Sequence, residues 1–217
     1  MKQVKKWMAL VAIVFFSGIS QRSFSQGLKD VFNNSETPLT YLGIDFSKTR
    51  ILDQGNADDI RNRLYRSIND LVVDEFKKFD IKGAFRKSNV DNYTSPVNDV
   101  NAKANIGDII STNSSDFSRL KESDILSCVK SLDLKGKDGV GVLFVMESMR
   151  KIEKKGDAAI WVTFIDMKSK KMLMTERMVE EAKGGFGFRN YWASTIKELI
   201  EDIDKHKFKD WKAKYSN

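Results

Sequence analysis

The stretch Lys183-Gly-Gly-Phe-Gly-Phe-Arg-Asn-Tyr-Trp192 gathers glycines, aromatic rings and an arginine at a point where an apolar strand pattern gives way to a helical one. Glycines let backbone amides approach an anion at a helix N-terminus, and Arg189 would add charge to such a site. The lysine and hydroxyl residue that complete a P-loop do not follow these glycines, and the dinucleotide-binding spacing is missing. Two readings remain. The segment is a turn that seals the end of a core, or it is a rim on which Phe186, Phe188, Arg189, Asn190, Tyr191 and Trp192 meet a glycan, a peptide or a partner protein.

Other reactive residue types are sparse or wrongly placed. His206 is the only histidine and stands on a lysine-rich tail, which argues against a histidine-based triad and rules out a His-rich zinc site. Cys128, the only cysteine, has no internal disulfide partner and reads as a small apolar residue on a helix. Asp45, Glu147 and Asp166 fall at or near strand ends, where the two carboxyl groups of a glycosidase would sit, but such a pair needs a defined separation across a cleft. Asp99, Asn101 and Asn105 resemble a calcium loop only faintly, because Lys103 occupies a ligand position. Met172, Met174 and Met178 are expected on one strand face, where soft thioethers can bind copper or simply fill a core. Gly136, Gly139 and Gly141 precede a strand, the wrong context for a nucleotide loop, and read as turn glycines with one close-packed strand position. No catalytic set, metal site or cofactor is expected.

The elements that must hold these residues begin after a leader. Lys2, Lys5 and Lys6 precede an apolar run from Trp7 to Phe16, and small and polar residues follow, the order of a cleavable signal peptide. That run is shorter than the roughly 20 residues of a membrane-spanning helix. Cleavage is expected after Ser25, with Ser20 the weaker site, and no cysteine lies near the junction for lipid attachment. The expected product is exported, periplasmic or extracellular, neither membrane-spanning nor lipidated. Losing Lys2, Lys5, Lys6 and Arg22 lowers the formal charge of +7 by four, to +3. A nearly balanced exported chain argues against nucleic acid as its partner.

Beyond the leader (1–25) and a polar lead (26–38), one α/β domain is expected over 39–217. Leu39 to Phe46 reads as a strand. Asn56 is placed to cap a long amphipathic helix carrying Ile60, Leu64, Ile68, Leu71, Val72, Phe76 and Phe79. A short strand over 84–90, then a long polar loop at 88–115, lead to helical residues between Phe117 and Leu132. Gly139 to Met146 is continuously apolar, as in a strand covered on both faces. Asp157 to Met167 follows, with Ile160, Val162 and Phe164 on one side and Trp161 and Ile165 on the other, and Met172 to Glu181 returns beside it. Trp192, Ile196, Leu199, Ile200 and Ile203 form the last helical face, and Phe208, Trp211 and Tyr215 extend it among lysines. These rings are expected to pack on the domain in preference to resting on an anionic membrane surface. The fold class is therefore α/β (α+β), a single domain with a mixed sheet, a C-terminal antiparallel three-strand meander and helices packed on the sheet.

The strands Val140 to Met146 and Ala159 to Asp166, with the lysine-rich turn into Met172-Leu-Met-Thr175, give an arrangement that resembles the amino-terminal domain of TolB and the periplasmic domain of the curli secretion subunit. The whole chain is similar to uncharacterised exported proteins of Gram-negative bacteria. The resemblance implies a role in envelope assembly and interaction and transfers no catalytic residue. The expectation is a non-catalytic module that binds an envelope protein or itself. The alternative is a small-ligand or glycan binder, or a weak carboxylate hydrolase, built on the 184–192 loop.

Overall fold

A computed structural model describes residues 24–216, with side chains from Gly27 onward, so the expected leader lies outside the described residues up to its last two positions. In chain order the elements are α1 (Phe24–Asn33), β1 (Leu39–Asp45), β2 (Arg50–Leu52), α2 (Ala57–Asp59), α3 (Tyr65–Asp74), α4 (Ile81–Ala84), β3 (Val90–Asn92), α5 (Ser95–Asn101), α6 (Glu122–Ser131), β4 (Val140–Ile152), β5 (Lys155–Asp166), β6 (Lys171–Glu181), α7 (Gly187–Asp202) and α8 (Phe208–Tyr215). Single π turns at Ile60–Leu64 and Ile203–Lys207 join α2 to α3 and α7 to α8.

The sheet runs β3-β1-β4-β5-β6, with the short β2 also pairing with β4. β1 is parallel to β3 and β4, whereas β4, β5 and β6 form the expected antiparallel meander. This is the mixed-sheet α/β single domain anticipated from the sequence. β4 lies in the middle and is buried from Gly141 to Met149, which accounts for its unbroken apolar run. The alternation along β5 is also observed. Ile160, Val162 and Phe164 enter the larger core with α1, α3, α7 and α8, while Ile165 and Trp161 pack on the opposite face with Ile125, Cys128 and Val129 of α6.

Asn56 caps the second helical stretch, its side chain accepting from the Asp59 amide at 3.1 Å. The helix stops at Asp74, short of an end expected between Asp80 and Gly83. Phe79 is buried through the following turn and Phe76 is turned out to solvent. The last helix behaves as expected. Phe208 and Trp211 are buried, Trp211 donates its ring N–H to Glu176 at 2.6 Å, and its ring meets Phe164 edge-on at 6.1 Å. Gly141 is the close-packed strand position: a Cβ there would lie 2.8 Å from Leu42 Cδ1.

Four expectations are corrected. The polar lead is largely α1, whose Leu28, Val31 and Phe32 are buried against the sheet and α8. The expected strand over 84–90 is replaced by α4 and by β3, which starts only at Val90. The expected polar loop at 88–115 contains β3, α5 and a 3-10 turn at Ile106–Asp108, and buries Val97, Ala104 and Ile109. The methionines of β6 do not share a face. The register slips between Met174 and Met172, so Met172 pairs with Ile165 and packs on the opposite face from Met174 and Met178.

Asn101 of the 88–115 segment, together with Asn69 of α3, ties that segment to β1. β3 accompanies β1 only from Leu39 to Tyr41, and beyond the bulge at Gly43 the outer edge of β1 has no strand beside it. Asn69 of α3 takes the Ile44 N–H on Oδ1 at 2.7 Å and donates to the Ile44 carbonyl at 3.0 Å. Asn101 of α5 donates to the same carbonyl at 2.9 Å and accepts from the Phe46 N–H at 2.6 Å. Both side chains are buried, and together they replace a missing strand for backbone groups that have no access to water. Gly43 makes room for this. Its φ is +96°, and a Cβ there would stand 3.1 Å from Asn69 Oδ1.

Candidate functional site

The Lys183 to Trp192 segment leaves the C-terminal end of β6 and turns into α7. Gly185 has φ +117°, and a Cβ on it would approach the Asn190 backbone to 2.5 Å, so only glycine lets the loop fold back onto the first turn of the helix. The loop is fastened on both sides. Asn190 donates from Nδ2 to the Phe186 carbonyl at 3.2 Å, and the Lys183 N–H donates to Ser194 Oγ at 3.1 Å. No side chain caps the α7 N-terminus.

The structure divides the six expected surface residues. Phe186 is 96% exposed. Arg189 is exposed, its Nε donating to Asn190 Oδ1 at 3.2 Å, and it forms no ion pair with a described carboxylate. Asn190 is half-buried and serves the loop itself. Phe188 and Tyr191 are half-buried against Trp192, with ring centroids at 6.3 and 5.1 Å. Trp192 is a correction. It is 2% exposed and heads the buried stripe continued by Ile196, Leu199 and Ile200, so it belongs to the core and not to a binding rim.

A groove of about 470 Å³ runs beside the loop, walled by Gly184 to Phe186, by Arg189, Asn190, Ser194, Lys197 and Glu198 of α7, and by Glu75 and Lys78 after α3. Sequence spacing gave no sign of this last wall, which lies over a hundred residues away in the chain. Its carboxylates are already engaged: Glu198 by Lys183 at 2.5 Å and by Lys197 at 3.9 Å, and Glu75 by Lys78 at 3.1 Å. Around the corner, Ile152 and Val179 stand 59% and 46% exposed over an open concavity of about 1130 Å³ beside the β4-β5 hairpin. Tyr191 links the two regions, because its side chain lies on Gly156 of that hairpin, its hydroxyl 2.5 Å and its ring Cε1 2.8 Å from where a Cβ would be.

The other chemistry-bearing residues are sealed or committed to the fold. Asp45 and Glu147 have no exposed surface. Glu147 accepts from the Leu120 N–H at 2.7 Å, from Trp161 Nε1 at 3.0 Å and from Arg177 Nε at 2.7 Å, and so ties the loop before α6 to the sheet. Arg177 also donates to the Phe117 carbonyl at 2.8 Å. Burial raises the Asp45 carboxyl above the ordinary carboxylate range, opposed by its hydrogen bonds to Ser47. Asp166 accepts from the Ser169 N–H and hydroxyl in the turn before β6. With two of the three carboxylates shut from solvent, they cannot flank a sugar as a glycosidase pair. Burial likewise raises the Cys128 thiol, which suits a packed side chain and not a nucleophile. Asn101 is taken up by β1, and His206 pairs with Asp202 at 2.6 Å on an exposed helix surface. Glu180 stands out: burial, followed by its neighbours Asp202 and Glu198, pushes it up to about 7.

No protein-family model matches the chain, and neither does any curated protein. Among solved structures it is similar to the hypothetical protein CT253 from Chlamydia trachomatis, at 8% identity and a TM-score of 0.39, covering 82% of this chain and 99% of that one. A likeness of that degree carries no argument about function. Among the described residues no helix is long and apolar enough to cross a membrane.

Proposed function

We propose that this protein is an exported, non-catalytic interaction module of the cell envelope, docking another envelope protein or a second copy of itself at the end of the sheet where β6 passes into α7. The observation that carries the reading is Phe186, 96% exposed on a loop pinned by its own hydrogen bonds. A solvated phenylalanine on a fixed loop gains from burial, at about 25 cal/mol per Å² of apolar surface covered, and pays little ordering entropy on contact. Val179 and Ile152 extend apolar surface around the same end of the sheet, the kind of patch that marks interaction sites. The sequence resemblance to envelope assembly domains and the expected signal peptide support the same class and location.

The test is site-specific photo-crosslinking in producing cells, with the photoreactive residue at 186 or 179 and a control at exposed Asp138 in the turn before β4. Discrete adducts from 186 and 179 and none from 138 are expected, together with a mature amino terminus at Gln26 in the envelope fraction. Adducts no different from the control, with a strictly monomeric purified protein, would remove the reading.

The groove favours a second reading, a small-ligand or glycan binder. Arg189 offers its terminal N–H groups beside an exposed ring, an arrangement that suits a sugar face. Saturable binding on a glycan array that is lost in Phe186→Ala would select it over docking.

A further inference from the structure

Resting on the docking reading, we infer that the Phe186 groove takes an acidic polypeptide segment, one that places carboxylates beside an aromatic or aliphatic side chain.

The argument is one of charge left over. Lys78, Lys183, Arg189 and Lys197 line the groove against only Glu75 and Glu198. Glu198 is shared by Lys183 and Lys197, and Glu75 is taken by Lys78, so neither acid remains to attract a basic partner. Lys197 also bonds Glu201. Among the described residues Arg189 has no acid of its own, and its guanidinium is anchored only through Nε to Asn190, which leaves its two terminal nitrogens available for a bidentate carboxylate. The net positive wall and the solvated Phe186 ring therefore ask for opposite things of one occupant: negative charge along the groove and apolar surface at its rim. A free inorganic anion meets the first demand only. A peptide segment meets both, and the electrostatic complement would act mainly on its association rate and selectivity.

A random dodecapeptide display library selected on the purified protein, in parallel with its Phe186→Ala and Arg189→Glu variants, tests this. The expected result is enrichment of Asp- and Glu-rich peptides bearing an aromatic or aliphatic residue. A synthetic peptide of the enriched sequence should then bind about tenfold more weakly to Arg189→Glu, on the order of one charge-assisted contact. Inorganic phosphate at millimolar concentration should not displace it. Enrichment that depends on Phe186 but shows no acidic excess, or that is indifferent to Arg189→Glu, overturns the inference and leaves the docking reading standing. No enrichment, or equal enrichment on all three proteins, overturns both. Circular dichroism melts of the variants, expected to match the parent because both side chains are exposed, separate loss of binding from loss of fold.

Discussion

Asn69→Ala isolates the device that closes the open edge of β1. The change removes the acceptor for the Ile44 N–H and donors to the Ile44 and Asn98 side, but the Ile44 carbonyl keeps Asn101 Nδ2 at 2.9 Å. One backbone N–H is therefore stranded without water, which costs about 1–3 kcal/mol. Truncating a fully buried side chain adds a small cavity, so a total of roughly 2–4 kcal/mol follows. In a domain of this size each kcal/mol lowers Tm by about 2–4 °C, giving a fall of roughly 4–16 °C by calorimetry or far-ultraviolet circular dichroism. Asn98→Ala, which removes only one half-buried acceptor, should cost under about 1 kcal/mol. Asn69→Asp keeps an acceptor for the Ile44 N–H but turns an oxygen toward the Ile44 carbonyl, so it should not rescue at neutral pH and should recover in acid. A Tm within 2 °C of the parent for Asn69→Ala, or equal losses for Asn69→Ala and Asn98→Ala, would refute the claim that these asparagines substitute for a strand.

The remaining expectations are simpler. Trp192→Ala should lose about 3–5 kcal/mol in urea unfolding, as a core aromatic does, while Phe186→Ala should stay within about 0.5 kcal/mol because its ring touches mainly solvent. Arg177→Met should cost about 3 kcal/mol, the low end for exposing the need of a buried charge, since Glu147 is fully buried while Arg177 is 26% exposed. Glu180 has a folded-state pKa of about 7, raised from 4.5, so its contribution to stability is fully present below pH 4.5 and is lost as pH rises through 7. Glu180→Gln should flatten the decline in urea midpoint between those two pH values, and an unchanged slope would show that burial, with Asp202 and Glu198 beside it, does not raise this carboxyl.

The sheet was legible because its strands announce themselves in apolar runs. Val140 to Met146 has no polar residue to spoil a doubly covered strand, and the alternation of Ile160, Val162 and Phe164 with Trp161 survives intact in the structure. The region from Ser88 to Ser115 was not legible for a physical reason. Asn101 is polar by composition yet buried by position, and hydrophobic periodicity reads such a residue as solvent-facing, while the buried Val97, Ala104 and Ile109 are too scattered to show a period. The α1 helix did carry a signal, the spacing of Leu28, Val31 and Phe32, but only three apolar positions in a polar stretch. At the candidate site the two roles lay within one short segment. Trp192 begins the same helical stripe as Ile196 and Leu199 and is buried with them, whereas Phe186 precedes the helix and escapes the stripe. The β6 bulge defeated the reading of Met172, because a one-residue slip reverses which face a side chain meets.

The contact between α1 and α8 couples the two ends of the described residues. Phe32 packs on Phe208 at 5.6 Å and stacks with Tyr215 at 6.1 Å, and Asn33 Nδ2 reaches the Ser216 carbonyl at 3.4 Å. The first described helix thus shares one aromatic cluster with the last, centred on Phe164 of β5, whose ring lies 5.5 Å from Phe32. Fraying of α8 would therefore strip Phe32 of the rings of Phe208, Trp211 and Tyr215 and leave it Phe164, so that loosening at one end of the described residues is felt at the other.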